Sequence, residues 1–245
     1  MTIAVILFVL GSIVGSFLNV VGLRWGTRQT LLGRSHCPSC SRTLKWWELV
    51  PIISFLALRA RCRECRAKIS WTYPLVELWT GLIFVTVPYI FIPVFCIYVV
   101  ILIYDFHHKI IPDELVYASI FLSFLVPLFF IHYSVLDWLA GPIIFTFFGS
   151  IWLLSGGRAM GFGDAKLGLS LGLLLGAPHA FSAVILAFWV GASVSLIYIF
   201  LNKTGFLKDA KELTMKSEVP FAPAIILGAW ISLVFRLNIL HVTSF

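Results

Sequence analysis

Three features of this chain combine residue types and spacings that support chemistry. The first is a pair of Cys-x2-Cys motifs, Cys37-Pro-Ser-Cys40 and Cys62-Arg-Glu-Cys65, separated by 21 residues. Each pair aims two sulfurs at one point, and four thiolates complete a tetrahedron around Zn²⁺. Four protein ligands leave no open coordination position, so such a metal is structural. Two disulfides or four unconnected thiols are the alternatives, and a reducing cytoplasm disfavours the disulfides. The second feature is a set of acids at the edges of apolar runs: Asp105 after Tyr104, Asp113 in Ile111-Pro112-Asp113-Glu114, Asp164 closing Gly161-Phe162-Gly163-Asp164, and Glu77. Ionisable groups at such places are costly and usually functional. The third is a concentration of Lys and Arg in one segment.

Asp105 and Asp164 are the catalytic candidates. Two carboxylates held close share a proton: the ionised one draws a proton from water while the protonated one polarises a scissile carbonyl. That chemistry needs no metal and no nucleophilic Ser or Cys. Gly161 and Gly163 lack a Cβ, which lets a peptide backbone approach Asp164. Structural readings stand beside these. Asp113 follows a proline and precedes a helix, as an N-cap does, and Asp164 can cap its own helix. Asp105 has no such role, because the dipole disfavours an anion at a helix C-terminus. His107 and His108 read as headgroup-facing residues, Glu77 as a group that snorkels or pairs with the basic loop, and Cys96 as a buried hydrophobe.

The elements that must position these groups follow from composition. In 245 residues, 60% are hydrophobic and 12% charged, and the mean hydropathy is +0.99. Average soluble proteins have roughly 45–50% and about 25%. A soluble, disordered, collagen-like or small disulfide-stapled chain is excluded. Apolar runs at 2–23, 74–92, 93–106, 114–133, 138–156, 165–177, 180–201 and 220–240 read as membrane helices, since only helices and closed barrels satisfy their backbones in lipid. The first run has no cleavage pattern after it and is expected to be retained. No internal repeat or low-complexity stretch is apparent.

Ten of the 18 Lys and Arg lie in 24–73 against Glu48 and Glu64, a net +8, which leaves −1 for the rest of the chain. The positive-inside rule places this loop in the cytoplasm and the N-terminus outside. Threading eight spans then puts every basic residue except Arg236 on the cytoplasmic side. The weakest span is 165–177, and a re-entrant segment there would move the lysines of 202–219 outward. Phe206, Ala210 and Leu213 have the spacing of a short surface helix or of a solvated loop. A basic zinc ribbon can bind nucleic acid, but the arginines are accounted for by topology and by anionic headgroups. Membrane lipid is therefore the expected partner and nucleic acid is not.

In their order along the chain these residues resemble the type IV prepilin peptidases, or leader peptidase/N-methyltransferases. The likeness is carried by Gly15-Ser16-Phe17-Leu18-Asn19-Val20-Val21, the two cysteine pairs, Tyr73-Pro74-Leu75-Val76-Glu77-Leu78, Asp105 with Ile111-Pro112-Asp113, Gly161 through Leu167, and Val219-Pro220-Phe221-Ala222-Pro223. The Tyr-Asp and Gly-x-Gly-Asp pairing is similar, more broadly, to presenilin-type intramembrane proteases. The chain departs from the family pattern at Arg24-Trp25-Gly26 and at Ala60. The resemblance implies an all-α polytopic inner-membrane protein of about eight transmembrane helices with a small cytoplasmic zinc-ribbon-like insertion. Its parts would be a first helix at 1–23, a four-cysteine loop at 24–73 and a seven-helix protease domain at 74–245. The activity implied is removal of the basic leader after Gly from type IV prepilins or type II secretion pseudopilins. Methylation of the new N-terminal amine, usually of Phe, by S-adenosylmethionine would follow. The family's catalytic aspartates correspond to Asp105 and Asp164, with Gly161, Gly163, Asp113 and Lys166 in support. Its zinc ligands correspond to Cys37, Cys40, Cys62 and Cys65. No Gly-rich dinucleotide fingerprint marks a methyl-donor site. The competing readings are a proton-coupled transporter built on the intramembrane acids, which would place them nearer the midplane, and a membrane-anchored zinc-ribbon adaptor.

Overall fold

The computed structural model describes residues 2–27, 30, 33–131, 133–203 and 221–241. The expected surface helix at 202–219 lies outside the described residues from 204 onward. Regular structure among the described residues is helical, with two isolated β-bridges and no strand. The helices are α1 (Thr2–Arg24), α2 (Ile53–Ala57), α3 (Thr72–Thr86), α4 (Ile92–His108), α5 (Asp113–Phe130), α6 (Val135–Ser155), α7 (Phe162–Lys203) and α8 (Ala222–Val234). Five stretches are long and apolar enough to cross a membrane: Thr2–Arg24, Tyr89–His108, Asp113–Phe130, Val135–Ser155 and Phe162–Ile197. The chain is a multi-pass membrane protein. The expected runs 165–177 and 180–201 are the two halves of α7, which changes course at Gly176. α3 has 15 residues and α8 has 13. At 1.5 Å per residue both fall short of the ~30 Å hydrocarbon core.

The chain divides into two compact units, Met1–Ile103 and Tyr104–Phe245. In the first, α1 and α3 run antiparallel and touch through small residues. A Cβ on Gly11 would stand 2.8 Å from Phe84 and from the Thr80 carbonyl, and one on Gly81 would stand 2.7 Å from Ser12 Oγ. Lipid tails are as apolar as leucine, so burial alone does not draw helices together; close backbone approach through small residues does. Asn19 Nδ2 adds a bond to the Tyr73 carbonyl at 3.4 Å.

The second unit is organised around three glycines spaced one helical turn apart, Gly168, Gly172 and Gly176. A Cβ on Gly168 would meet Ile144 and Phe148 at 2.8 Å, one on Gly172 would lie 2.4 Å from Gly141 Cα, and one on Gly176 would lie 2.9 Å from Asp137 Oδ1. The first half of α7 therefore lies backbone to backbone along α6. Beyond the break, the second half packs on α8, where Gly228 sits against the Ala183 carbonyl. Ser123 and Ser170 join α5 to α7 at 3.0 Å.

The break has its own supports. Gly176 takes φ 67°, ψ 171°, outside any helix, and a left-handed φ costs glycine nothing. The interrupted helix frees backbone groups that have no water to turn to in a membrane. Tyr133 Oη donates to the Leu174 carbonyl at 2.6 Å, and Asp137 Oδ1 accepts from Ala177 N–H at 2.9 Å. Asp137 Oδ2 meanwhile accepts from the Ser134 amide at 3.0 Å and the Ser134 hydroxyl at 2.8 Å. One carboxylate thus caps α6 and restarts α7. Asp137→Ala is expected to destabilise the protein by about 1–3 kcal/mol through the orphaned amide, and Gly176→Ala by about 2 kcal/mol through strain at positive φ. Thermal unfolding in detergent would read both, and a wild-type melting temperature in either variant would contradict this account of the break.

Candidate active site and metal cluster

Both catalytic candidates belong to the Tyr104–Phe245 unit. Asp105 occupies the last turn of α4 and is 4% exposed. The chain leaves the helix just beyond it through Lys109 at φ 55°, whose amide bonds the Asp105 carbonyl at 2.8 Å. Asp105 Oδ2 is buried with no hydrogen-bond partner. Asp164 lies in the first turn of α7 and is also buried. Its Oδ2 accepts from the Gly161 amide at 3.3 Å, in the manner of an N3 carboxylate reaching back to the start of its helix. The two acids are near enough for the charge of Asp105 to act on Asp164. The end of α4 and the start of α7 thus bring together residues 59 positions apart.

The two glycines of the Gly-x-Gly-Asp turn differ. Gly163 is occupied by packing, since a Cβ there would stand 3.0 Å from Ile111 Cβ. Gly161 opens onto space, and the atom nearest its missing Cβ is Asp164 Oδ2 at 3.6 Å. Any backbone that reaches Asp164 has room on the Gly161 side. Asp113 is not the N-cap that the sequence leads one to expect. Pro112 takes that position and Asp113 begins the helix, with its carboxylate on Lys166 Nζ at 2.6 Å. Lys166 also lies 5.0 Å from the Tyr117 ring centroid and 5.3 Å from that of Phe162, so it ties the start of α5 to the start of α7. His108 stacks on Tyr104 at 4.1 Å. Glu77 is in the other unit, buried in α3, where its Oε2 accepts the Ile52 amide at 2.8 Å and fastens the loop to the helix.

The four cysteines of the loop converge. Their sulfurs all lie within 4.8 Å of one another, and Cys37 Sγ is 3.8 Å from Cys65 Sγ. Tetrahedral metal–sulfur bonds of ~2.3 Å require sulfurs about 3.8 Å apart, whereas a disulfide would bring them to ~2.05 Å. The cluster has the geometry to hold a metal ion. Its two halves are the same device used twice. Bridges His36–Thr43 and Arg61–Lys68 close each hairpin. Cys37 N bonds Arg42 O at 2.9 Å as Cys62 N bonds Ala67 O at 2.8 Å, and Leu44 N bonds Ser35 O as Ile69 N bonds Ala60 O, both at 2.8 Å. Ser41 and Arg66 both turn through positive φ. Every member of one half is matched 25 residues on, a repeat the bare sequence conceals because only the cysteines are identical.

Backbone amides prepare two of these sulfurs, those of Cys37 and Cys62, as ligands. Those of Cys40 and Ser39 hold the Cys37 thiol below its ordinary range, and those of Glu64 and Cys65 bring Cys62 to about 6. Arg42 joins the halves, with Nη2 on buried Glu48 at 2.7 Å and Nε 2.8 Å from Glu64 of the second hairpin. Glu48 also accepts the Lys45 amide at 2.9 Å. The Arg42 bond, first, and that amide hold its carboxyl below the ordinary value.

Comparison with known proteins places the chain. Residues 9–91 match the model of the bacterial peptidase A24 N-terminal domain, and residues 90–196 match that of the type IV leader peptidase family. The chain belongs to the type IV leader peptidase family. Proteins named prepilin leader peptidase/N-methyltransferase are similar to it. That of Bacillus subtilis is 31% identical over 239 residues, 91% of each chain. That of Stutzerimonas stutzeri is 29% identical over 265 residues, 93% of this chain and 89% of its own. That of Myxococcus xanthus is 39% identical over 175 residues, 70% of this chain but 46% of the longer protein. No solved structure matches the chain significantly.

Sequence reasoning passed over Asp137 and Tyr133, which carry the break in α7, and the Gly168–Gly172–Gly176 spacing that signals it. The Arg42–Glu48 pair yields a pH prediction. A depressed carboxyl contributes stability above its unfolded value of about 4.5 and loses it as pH falls through the folded value. Glu48→Gln is expected to lower the melting temperature of the metal-loaded protein at pH 7 by several degrees, with the deficit shrinking below about pH 4.5. An equal deficit at pH 7 and pH 3.5 would show that the ion pair is not its source.

Proposed function

We propose that the chain removes the leader from type IV prepilins or pseudopilins through Asp105 and Asp164, and then N-methylates the exposed residue. The single observation that carries the proteolytic half is the pair of buried carboxylates from two helix termini, one with an unpartnered oxygen. Two such groups cannot both be ionised at close range. The ionised member takes a proton from water as the oxygen attacks the scissile carbonyl, and the protonated member donates to the carbonyl oxygen. Collapse of the tetrahedral species returns a proton to the leaving amine and regenerates the pair. The space at Gly161 admits the scissile backbone after the substrate's Gly, while Gly163, Asp113 and Lys166 keep the start of α7 in place.

The remaining assignments rest on the same reading. The ion for Cys37, Cys40, Cys62 and Cys65 is Zn²⁺, held structurally, since four thiolates leave no position for water. The methyl donor is S-adenosylmethionine, and the methylated residue is usually Phe. The membrane is the bacterial inner membrane, with the basic loop 24–73 in the cytoplasm, the N-terminus outside and the helices 74–245 forming the protease domain. Anionic lipid headgroups are the partners of the surplus arginines.

Asp105→Asn and Asp164→Asn are each expected to lower prepilin cleavage about a thousandfold or more, whereas Asp113→Ala, which breaks a largely exposed pair, costs about tenfold or less. Leader release from a purified prepilin in detergent measures all three. Full activity in either Asn variant would sink the two-aspartate reading. In Cys37→Ser/Cys65→Ser, elemental analysis is expected to find zinc lost from the purified protein, and unchanged zinc would remove the four-cysteine assignment.

A further inference from the structure

The cysteine loop displays large apolar side chains for which a solvated loop has no use. Trp46 is 76% exposed, Ile53 67%, Leu56 64% and Trp71 64%, and Trp47 and Leu49 are open as well. Trp46–Leu49 form one 3-10 turn, and α2 begins three residues later. Ile53 and Leu56, three apart, share a face of that short helix, while Phe55 turns inward and is buried. α2 packs against the turn, and its Phe55 meets Trp71 with ring centroids 4.8 Å apart. The three pieces therefore make one patch, and an exposed apolar patch rimmed by polar residues marks an interaction site.

The position and charge of the patch select what covers it. The Ile52 amide on Glu77 at 2.8 Å sets the start of α2 beside the second turn of α3, and Trp71 immediately precedes α3. At 100° per residue, Trp71, Leu75, Leu78, Leu82 and Val85 fall on one stripe of α3, and all five are exposed. Thr80 and Gly81, on the other side, pack on α1. Such a stripe is what a membrane helix turns to lipid, and the patch continues it. α3 alone offers only ~22 Å of helix, so apolar surface at its start extends a helix that falls short of the hydrocarbon core. Tyr89, three residues past its other end, is also exposed, which gives α3 an aromatic at each end, as at the two faces of a bilayer. Lys45 precedes the turn, its Nζ 5.0 Å from the Trp47 ring centroid, and Arg59 and Arg61 follow α2. These three are exposed and take part in no ion pair among the described residues. Cations rimming an aromatic patch match anionic headgroups above an acyl boundary. A second copy of the same patch would set like charges against them.

We propose that the cysteine loop lies on the membrane, with Trp46, Ile53, Leu56 and Trp71 inserted at the headgroup–acyl boundary as an apolar foot. The inference rests on the proposed reading that loop 24–73 faces anionic lipid, and deepens it by naming the side chains that enter the bilayer. Arginine contacts alone are screened by salt and leave the loop free to lift from the surface, whereas buried apolar side chains anchor it. Cys62 follows α2 by five residues, and Arg42 joins the two hairpins, so the foot also holds the metal cluster close above the acyl region.

Photolabelling of the full-length, metal-loaded wild-type protein in nanodiscs of phosphatidylglycerol and phosphatidylcholine tests this without any variant. Two lipid probes are compared, one with a diazirine in the headgroup and one with a diazirine near the carbonyl end of an acyl chain, and adducts are located by mass spectrometry. Acyl-probe adducts are expected on 46–56 and on Trp71, and are expected to persist in about 1 M salt, where headgroup attraction is screened. Headgroup adducts on the loop without acyl adducts at these residues would overturn the foot and leave the lipid-facing reading standing. Adducts of neither kind on 24–73 would overturn both. Capture of a second copy at 46–56 in place of acyl chains would overturn the foot in favour of an interface between copies. Trp46→Ser/Leu56→Ser, at two exposed positions, is expected to lower acyl labelling of 46–56 about fivefold with zinc content unchanged. Undiminished labelling in that variant would overturn the assignment of these side chains to the bilayer.

Discussion

A carboxylate buried in a membrane protein must be given a partner or a proton, and that constraint orders the whole molecule. Asp137 is satisfied by the backbone at the start of α6 and at the break in α7. Glu48 is satisfied by Arg42 and Glu77 by the Ile52 amide. Each of these acids fastens one element to another. Asp105 is the exception: one of its oxygens is buried with nothing to bond, and its charge acts on Asp164, an acid like itself. An arrangement that costs stability without holding anything together is the kind reserved for chemistry.

Holding two acids in that state requires rigid helix ends, and the packing supplies them without a hydrophobic driving force. α7 can lie on α6 at backbone distance because Gly168, Gly172 and Gly176 present no side chain there. Once the first half of α7 is fixed along α6, the position of its N-terminus, and so of Asp164, is fixed as well. The break at Gly176 lets the rest of α7 turn to α8. Small residues in the other unit serve α1 and α3 in the same way.

Much of this was legible in the sequence. The acids at helix edges, the two Cys-x2-Cys pairs and the order of apolar runs depend on residue identity and spacing, which a chain displays openly. The role of Asp113 was misread because proline followed by an acid and a helical pattern reads as a cap, while the competing attraction of Lys166 comes from 53 residues away. The duplicated hairpin escaped notice because its repeat lives in backbone bonds and in positive φ values taken here by serine and arginine, without the glycine that would have signalled them. Asp137 stands just outside the apolar run 138–156 and gives no signal of its own. Only the fold brings Ala177 to it.

The central claim is that Asp105 and Asp164 act as one proton-sharing unit. Single-turnover cleavage of a prepilin by Asp105→Asn, Asp164→Asn and the double variant tests it most directly. A shared mechanism predicts that the two single variants and the double variant retain the same residual rate, because removing either member abolishes the unit. Losses that multiply in the double variant, or near-normal cleavage by either single variant, would contradict it.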